Sequence, residues 1–344
     1  MLPLVERSNP LSTDSSSHRI LITAEGFEER TLSWIKNQPK CILFSRSIIC
    51  KYDPEQKGKF DEVFSEVSSR TAMEPTVIPY NRFDPTEFEQ VFRARDVYLH
   101  YDEIVIDISV MSKLLIMIIF GALKSYEGNI RVIYTEPKTW SPSEKEYKEY
   151  VDTHAKGYTS VGLSSIGVYD IIRTPGLSSI VMQDCQPRLI TFTSSNEHLL
   201  NVLLNEVVPT NTLLINAKND REPWRADAAL SIHQKVIESF GIADNIECFD
   251  LLDYQSVFSR IAKEYADNCY RNRIVLAPTG GKVHTIACAL LKNCCSDIQV
   301  EYPTPEGYVL DTYSSEEIEE IHEIVFTNYK ELLSELATEY KLNG

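Results

Sequence analysis

Ile274-Val275-Leu276-Ala277-Pro278-Thr279-Gly280-Gly281-Lys282 sets an apolar run directly before a glycine-containing polar turn and a lysine. A run without polar alternation suits a central strand of a parallel sheet, which helices cover on both faces. The turn then leads into a helix expected over 282–292. The same order stands earlier, where Ile104-Val105-Ile106-Asp107-Ile108-Ser109 runs on to Lys113 and a helix over 111–124. Lys113 and Lys282 lie 169 positions apart (282 − 113 = 169). Two further pairs share that spacing. Arg19, opening Arg19-Ile20-Leu21-Ile22-Thr23, answers to Arg188, opening Arg188-Leu189-Ile190-Thr191-Phe192, and Asp84 answers to Asp253. The chain reads as one unit present twice.

Working outward, strands are expected near 19–23, 41–45, 75–80, 103–109 and 130–135. Helices over 26–36, 55–69, 85–99 and 111–124 fall between or beside them. Asp53-Pro54 and Asp84-Pro85 read as N-caps followed by a proline in the first turn. The second half repeats the order, with strands near 188–193, 212–217, 246–250, 273–278 and 298–302. Its helices are expected over 196–206, 226–240, 254–268 and 282–292, and Gly241 is placed as a C-cap. Strands alternating with helices imply an α/β fold with parallel sheets. The domains expected are an N-terminal arm (1–18), a first unit (19–136), a linker with a helix and a possible hairpin after Gly157 (137–187), a second unit (188–310) and a C-terminal amphipathic helix (311–344). That last helix opens on Ser315 with Glu316 and Glu317 in its first turn.

Composition narrows the partners. The 344 residues are 43% hydrophobic and 24% charged, with a formal net charge of −16. Such an acidic chain offers no extended nucleic-acid surface and no anionic-membrane surface, since lysine and arginine carry those contacts. A small phosphorylated ligand in a local basic pocket is compatible with it. Leu114 to Leu123 is too short to span a bilayer and fits a buried helix. Met1-Leu2-Pro3-Leu4-Val5 gives way at once to Glu6 and Arg7, unlike a secretory leader. The eight cysteines form no paired Cys-x-x-Cys motif, so no metal site is expected, and free thiols fit a cytoplasmic protein. No cofactor is expected.

In a parallel sheet ligands sit beyond the carboxyl ends of the strands, against helix N-termini. Five loops there hold candidates. In Thr279-Gly280-Gly281-Lys282 the glycines allow a backbone to approach a phosphate, Thr279 offers a hydroxyl and Lys282 a charge. Its counterpart in the first half offers Ser109, Ser112 and Lys113 without glycine, and there capping of the helix by either serine is an equal reading. Ser194 and Ser195, after the first strand of the second unit, make a neutral loop suited to an anion. After its second strand, Lys218-Asn219-Asp220-Arg221-Glu222-Pro223-Trp224-Arg225 offers Trp224 for a base and Arg221 or Arg225 for a phosphate. Mutual pairing of those charges is the alternative. The loop Thr23 to Thr31 carries Glu25 and Glu28, which would repel a phosphate but suit ribose hydroxyls, a base edge, a metal or a lysine, or acid–base chemistry in an enzyme. For this loop and the Ser194–Ser195 loop, capping of the following helix is an equal reading. Arg95 and His100 show the Arg-x4-His spacing of small helical ribonucleases, yet end a helix that runs into a strand.

Strand, Thr279-Gly280-Gly281-Lys282, then helix resembles the Thr-Gly-Gly-x-Lys signature of CRISPR-associated Rossmann fold (CARF) domains, with one residue fewer before the lysine. Two such units on one chain resemble the SAVED sensors of bacterial cyclic-nucleotide immune systems. The resemblance implies two Rossmann-like units arranged as a pseudo-dimer, a cleft between their carboxyl edges, and an oligonucleotide signal, cyclic or linear, bound there in antiviral defence. It also implies action through self-association or a protein partner. An enzyme cleaving a glycosidic or phosphodiester bond of a nucleotide, with Glu25 or Glu28 as acid or base, is the alternative. A non-catalytic interaction scaffold is the third.

Overall fold

The computed structural model describes residues 1–13, 18–54, 58–94, 100–155, 165–308 and 317–342. The chain is mixed α/β, with a large, mostly parallel sheet. It divides into two compact units: Met1–Thr139 with Ser314–Leu336, and Trp140–Tyr313 with Ala337–Gly344.

Unit 1 contains β1 (Glu6–Arg7), β2 (Arg19–Ala24), α1 (Ser33–Lys36), β3 (Arg46–Asp53), α2 (Phe60–Ser68), β4 (Thr76–Asn81), α3 (Thr86–Ala94), β5 (Glu103–Asp107), α4 (Lys113–Ala122) and β6 (Asn129–Pro137). The order across its sheet is β4-β3-β2-β5-β6, all parallel, and the returning segment Ile318–Phe326 then joins β6 antiparallel, with β1 outside it. β2 and β5 are buried along their whole length, as apolar runs between two helical layers should be. α4 is apolar nearly all round and buried from Leu114 to Phe120. On the α1/α2 face, Leu21, Ile49, Val105 and Ile133 pack against Trp34, Ile35, Val63 and Val67.

Unit 2 contains α5 (Glu144–Ala155), β7 (Ser165–Ile166), β8 (Asp170–Ile172), β9 (Pro187–Phe192), α6 (Glu197–Val207), β10 (Asn211–Lys218), α7 (Trp224–Phe240), β11 (Ile246–Asp250), α8 (Tyr254–Asn268), β12 (Arg273–Ala277), α9 (Lys282–Cys294), β13 (Gln299–Val300), β14 (Tyr302–Thr304) and β15 (Gly307–Tyr308). Its sheet runs β11-β10-β9-β12-β13, parallel throughout. In chain order both units thus place their parallel strands third, second, first, fourth, fifth. Leu189, Leu214 and Val275 pack against Leu200, Leu203 and Leu204 of α6 and Ile237 of α7. Gly241 ends α7 at φ +64°, a left-handed C-cap that suits glycine.

Several expectations are corrected. The strand expected at 41–45 lies at Arg46–Asp53, and Phe44 makes only an isolated bridge to Thr71. The helix expected over 26–36 is a 3-10 turn, Glu29–Thr31, plus the single turn of α1. Pro54 does not start a helix, because β3 runs to Asp53 and α2 begins at Phe60. Asp84 does accept from the Thr86 amide (3.2 Å), and Asp253 from that of Ser256 (2.9 Å). The segment 1–18 is no loose arm in its described part: Leu2 and Leu11 are buried and β1 pairs with the returning strand. The linker region forms no self-contained hairpin. β7 and β8 pair instead with β15 and β14. Ile318–Phe326, expected to be helical, is a strand, and the helix follows at Tyr329–Glu339. Ser315 and Glu316, Arg95, and residues 158–164 lie outside the described residues.

The repeat itself needs a shift of register. Leu21 and Leu189 both face the helices that follow their strands, so Leu189 is the counterpart of Leu21. Arg19 lies on that same face and pairs with Glu103 on β5 (2.7 Å). Arg188, next to Leu189, faces the other way and pairs with Glu264 on α8. The two arginines are not counterparts, because neighbouring strand residues point to opposite faces. Lys113 and Lys282 do each open the helix after the fourth strand.

Candidate functional site

β9, β10 and β11 end side by side at the carboxyl edge of unit 2, where chain reversals leave backbone groups without ladder partners. A cleft of about 200 Å³ opens there. Thr193, Ser194 and Ser195 follow β9, Ala217, Lys218 and Asn219 end β10, and Leu251 follows β11. Ala228, Ala229 and Ile232 of α7 form an apolar floor. Trp140, Ser141, Pro142 and Tyr147 supply a further wall, and Trp224 and Arg225 complete the lining.

Aromatic packing shapes that wall. The rings of Tyr147 and Trp224 lie 5.7 Å apart at 31°, and the Arg225 guanidinium sits 4.7 Å from the Trp224 ring. Arg225 forms an ion pair with Glu222 and donates to the Trp140 carbonyl. Burial draws the Arg225 pKa below its ordinary value, against the pull of Glu222. Arg225 therefore braces the wall and is not a loose phosphate clamp. Arg221 is exposed and outside the lining, while Lys218 is exposed and within it. Asn219 accepts from the Arg221 amide at 2.9 Å through its side-chain oxygen, which leaves its NH2 as the donor.

The serine loop is held from behind. His233, fully buried on α7, places Nε2 3.1 Å from the Ser194 nitrogen and 3.0 Å from its carbonyl oxygen. Burial lowers its pKa to about 4, which keeps the ring neutral. Ser194 Oγ donates to the Asn196 carbonyl (3.0 Å) and Asn196 caps α6. Thr193 Oγ1 donates to Asn216 Oδ1 (2.7 Å).

Thr279, Gly280, Gly281 and Lys282 fall outside this lining. The buried Thr279 hydroxyl donates to the Phe192 carbonyl (2.6 Å), tying the loop to β9. A Cβ on Gly280 would come within 2.8 Å of Phe192 Cβ, and one on Gly281 within 2.9 Å of Leu251 Cδ1. Both glycines thus serve close packing beside the cleft. Lys282 is half-buried at the start of α9.

In unit 1 the expected serines and glutamates are bound by the protein itself. Ser109 Oγ donates to Asp107 and accepts from the Thr135 amide. Ser112 caps α4 by accepting from the Leu115 amide (3.1 Å). Lys113 is half-buried, and burial lowers its pKa to about 8. Glu25 accepts from the Tyr52 amide at 2.6 Å, and Glu28 holds Arg30 through two contacts of 2.8 Å.

Of the residues singled out from sequence, Ser194, Ser195, Trp224 and Arg225 come together in one cleft. Lys218 and Asn219 stood in a quoted loop without being chosen. Trp140, Ser141 and Tyr147 were missed, because they precede the repeat in a segment read as a linker. The two aromatic residues within 140–147, Trp140 and Tyr147, were the available signal. Among the described residues no cluster of His, Cys, Asp and Glu could hold a metal ion, and no helix is long and apolar enough to cross a membrane. No protein-family model and no curated protein matches this chain.

Proposed function

We propose that this protein is a nucleotide-binding sensor or regulatory subunit, with its ligand in the unit 2 cleft. One observation carries the reading: aromatic faces, hydroxyls, an amide and the Lys218 cation converge on an apolar floor at the carboxyl edge of a parallel sheet. A base suits the aromatic wall and a phosphate suits Lys218 and the serine loop. The two units are Rossmann-like halves of a pseudo-dimer, in keeping with the resemblance to CARF and SAVED sensors. An oligonucleotide signal, cyclic or linear, in cytoplasmic antiviral defence is the ligand class this suggests. The response passes through self-association or a protein partner.

Isothermal titration of the full chain with AMP, cyclic diadenylate and linear and cyclic triadenylate tests this. Trp224→Ala and Lys218→Ala should each weaken binding about tenfold, the loss of roughly 1.4 kcal/mol. Loss of binding in Lys282→Ala with Lys218→Ala unaffected would move the site to the Thr279 loop. Mass spectrometry of the same mixtures separates binding from turnover, with Glu25→Gln as the control for the enzyme reading.

A further inference from the structure

The two units offer an internal comparison that identifies what the cleft is built to hold. The last rung between the first two strands is Glu25 N–H to the Cys50 carbonyl (3.1 Å) in unit 1 and Thr193 N–H to the Ile215 carbonyl (2.9 Å) in unit 2. Glu25 is therefore the counterpart of Thr193, in agreement with the match of Leu21 to Leu189 on the helix-facing side. Two residues past the rung, Tyr52 is the counterpart of Ala217.

In unit 1 the Tyr52 amide is capped by the Glu25 carboxylate, which is 2% exposed. In unit 2 the counterpart side chain, Thr193, is shorter and turns its hydroxyl to Asn216 Oδ1. Among the described residues no side-chain acceptor meets the Ala217 amide, and Ala217 lines the cleft beside Lys218. Unit 1 carries its own anion where unit 2 is open. A backbone N–H next to an ammonium favours an anionic oxygen, and charge-assisted bonds of this kind are the strong ones.

We infer that the cleft seats an anionic oxygen of its ligand, from a phosphate or a carboxylate, on the Ala217 amide. Each chain then binds one such ligand, since the corresponding place in unit 1 is filled by Glu25. The inference rests on the cleft as the binding site but not on the ligand being a nucleotide.

The test uses the full chain selectively labelled with 15N-alanine, with the Ala217 resonance assigned from Ala217→Gly. It is titrated with pyrophosphate, citrate, AMP and cyclic diadenylate. The Ala217 amide should move downfield with at least one of them, at a stoichiometry of one by calorimetry. Thr193→Glu, which places the unit 1 carboxylate in unit 2, should weaken that ligand at least tenfold, and Lys218→Ala should weaken it as well. Should Thr193→Glu fail to fold, the Ala217 shift decides alone. Movement with pyrophosphate or citrate but with neither nucleotide sinks the nucleotide reading and leaves this one standing, and the two anions separate phosphate from carboxylate. Nucleotide binding that leaves the Ala217 amide unmoved overturns this inference and spares the nucleotide reading. A stoichiometry of two, or no response to any of the four, also overturns it.

Discussion

Gly280 and Gly281 stand together in the sequence and read alike, but their surroundings differ. A Cβ at Gly280 meets the Cβ and ring of Phe192, a buried side chain with no room to retreat, whereas at Gly281 it meets only the tip of Leu251. Gly280→Ala should therefore destabilise by about 1–3 kcal/mol and Gly281→Ala by less than 1 kcal/mol. Urea unfolding of the two variants makes the comparison, and equal losses would count against it. His233 carries a pH dependence. Its folded pKa, about 4, lies below the ordinary 6.5, so protonation favours the unfolded chain. The neutral ring contributes fully above pH 6.5, and its contribution falls away as pH drops toward 4, by about 3 kcal/mol in all. Thermal midpoints across that range should fall less steeply in His233→Gln than in the wild type. Parallel slopes would remove His233 as the cause.

At the scale of elements, the run from β9 to α9 in unit 2 was legible to within a residue or two. The helix expected over 254–268 is Tyr254–Asn268, because Asp253 caps it and Val257, Phe258, Ile261 and Tyr265 mark one buried face. The returning strand was not legible. Ile318, Ile321 and Val325 stand at helical spacing, and the acids before them imitate a helix start. Its pairing with β6 decides the matter: Glu323 meets Arg131 at 2.8 Å, and Arg131 meets Glu103 at 2.9 Å, a chain of charges that only the sheet assembles. Phe326, at the end of this strand, is 1% exposed and packs edge-on against Tyr329. Phe326→Ala should cost about 3–5 kcal/mol. Hydrogen exchange should show faster opening in β6 with β10 unchanged, and equal acceleration in both would contradict a role confined to unit 1.

For the whole molecule, the consequence is that unit 1 is discontinuous. Ser314–Leu336 belongs with Met1–Thr139, and Tyr329 packs on Phe120 of the buried α4. A fragment ending at Thr139 lacks the strand that covers β6 and the helix that covers this part of the core. An uncovered strand edge and an exposed apolar surface promote aggregation. That fragment should be insoluble or lack a cooperative melt by circular dichroism, and adding residues 314–336 in trans should restore solubility. A fragment that melts cooperatively alone would contradict the division.

Strand and helix periodicity, caps and the duplicated order of elements were written in local sequence, because burial on two faces and satisfaction of helix ends act over a few residues. Local sequence also placed Ser194, Ser195 and Trp224 at the carboxyl edge of the unit 2 sheet. Tertiary structure alone decided the register of the repeat, the facing of Arg19 against Arg188, and the partners of Thr279 and Glu25. It alone brought Trp140 and Tyr147 to the cleft. Those outcomes depend on which groups meet across long stretches of chain, where hydrogen bonding, ion pairing and close packing select among arrangements that look equivalent along the sequence.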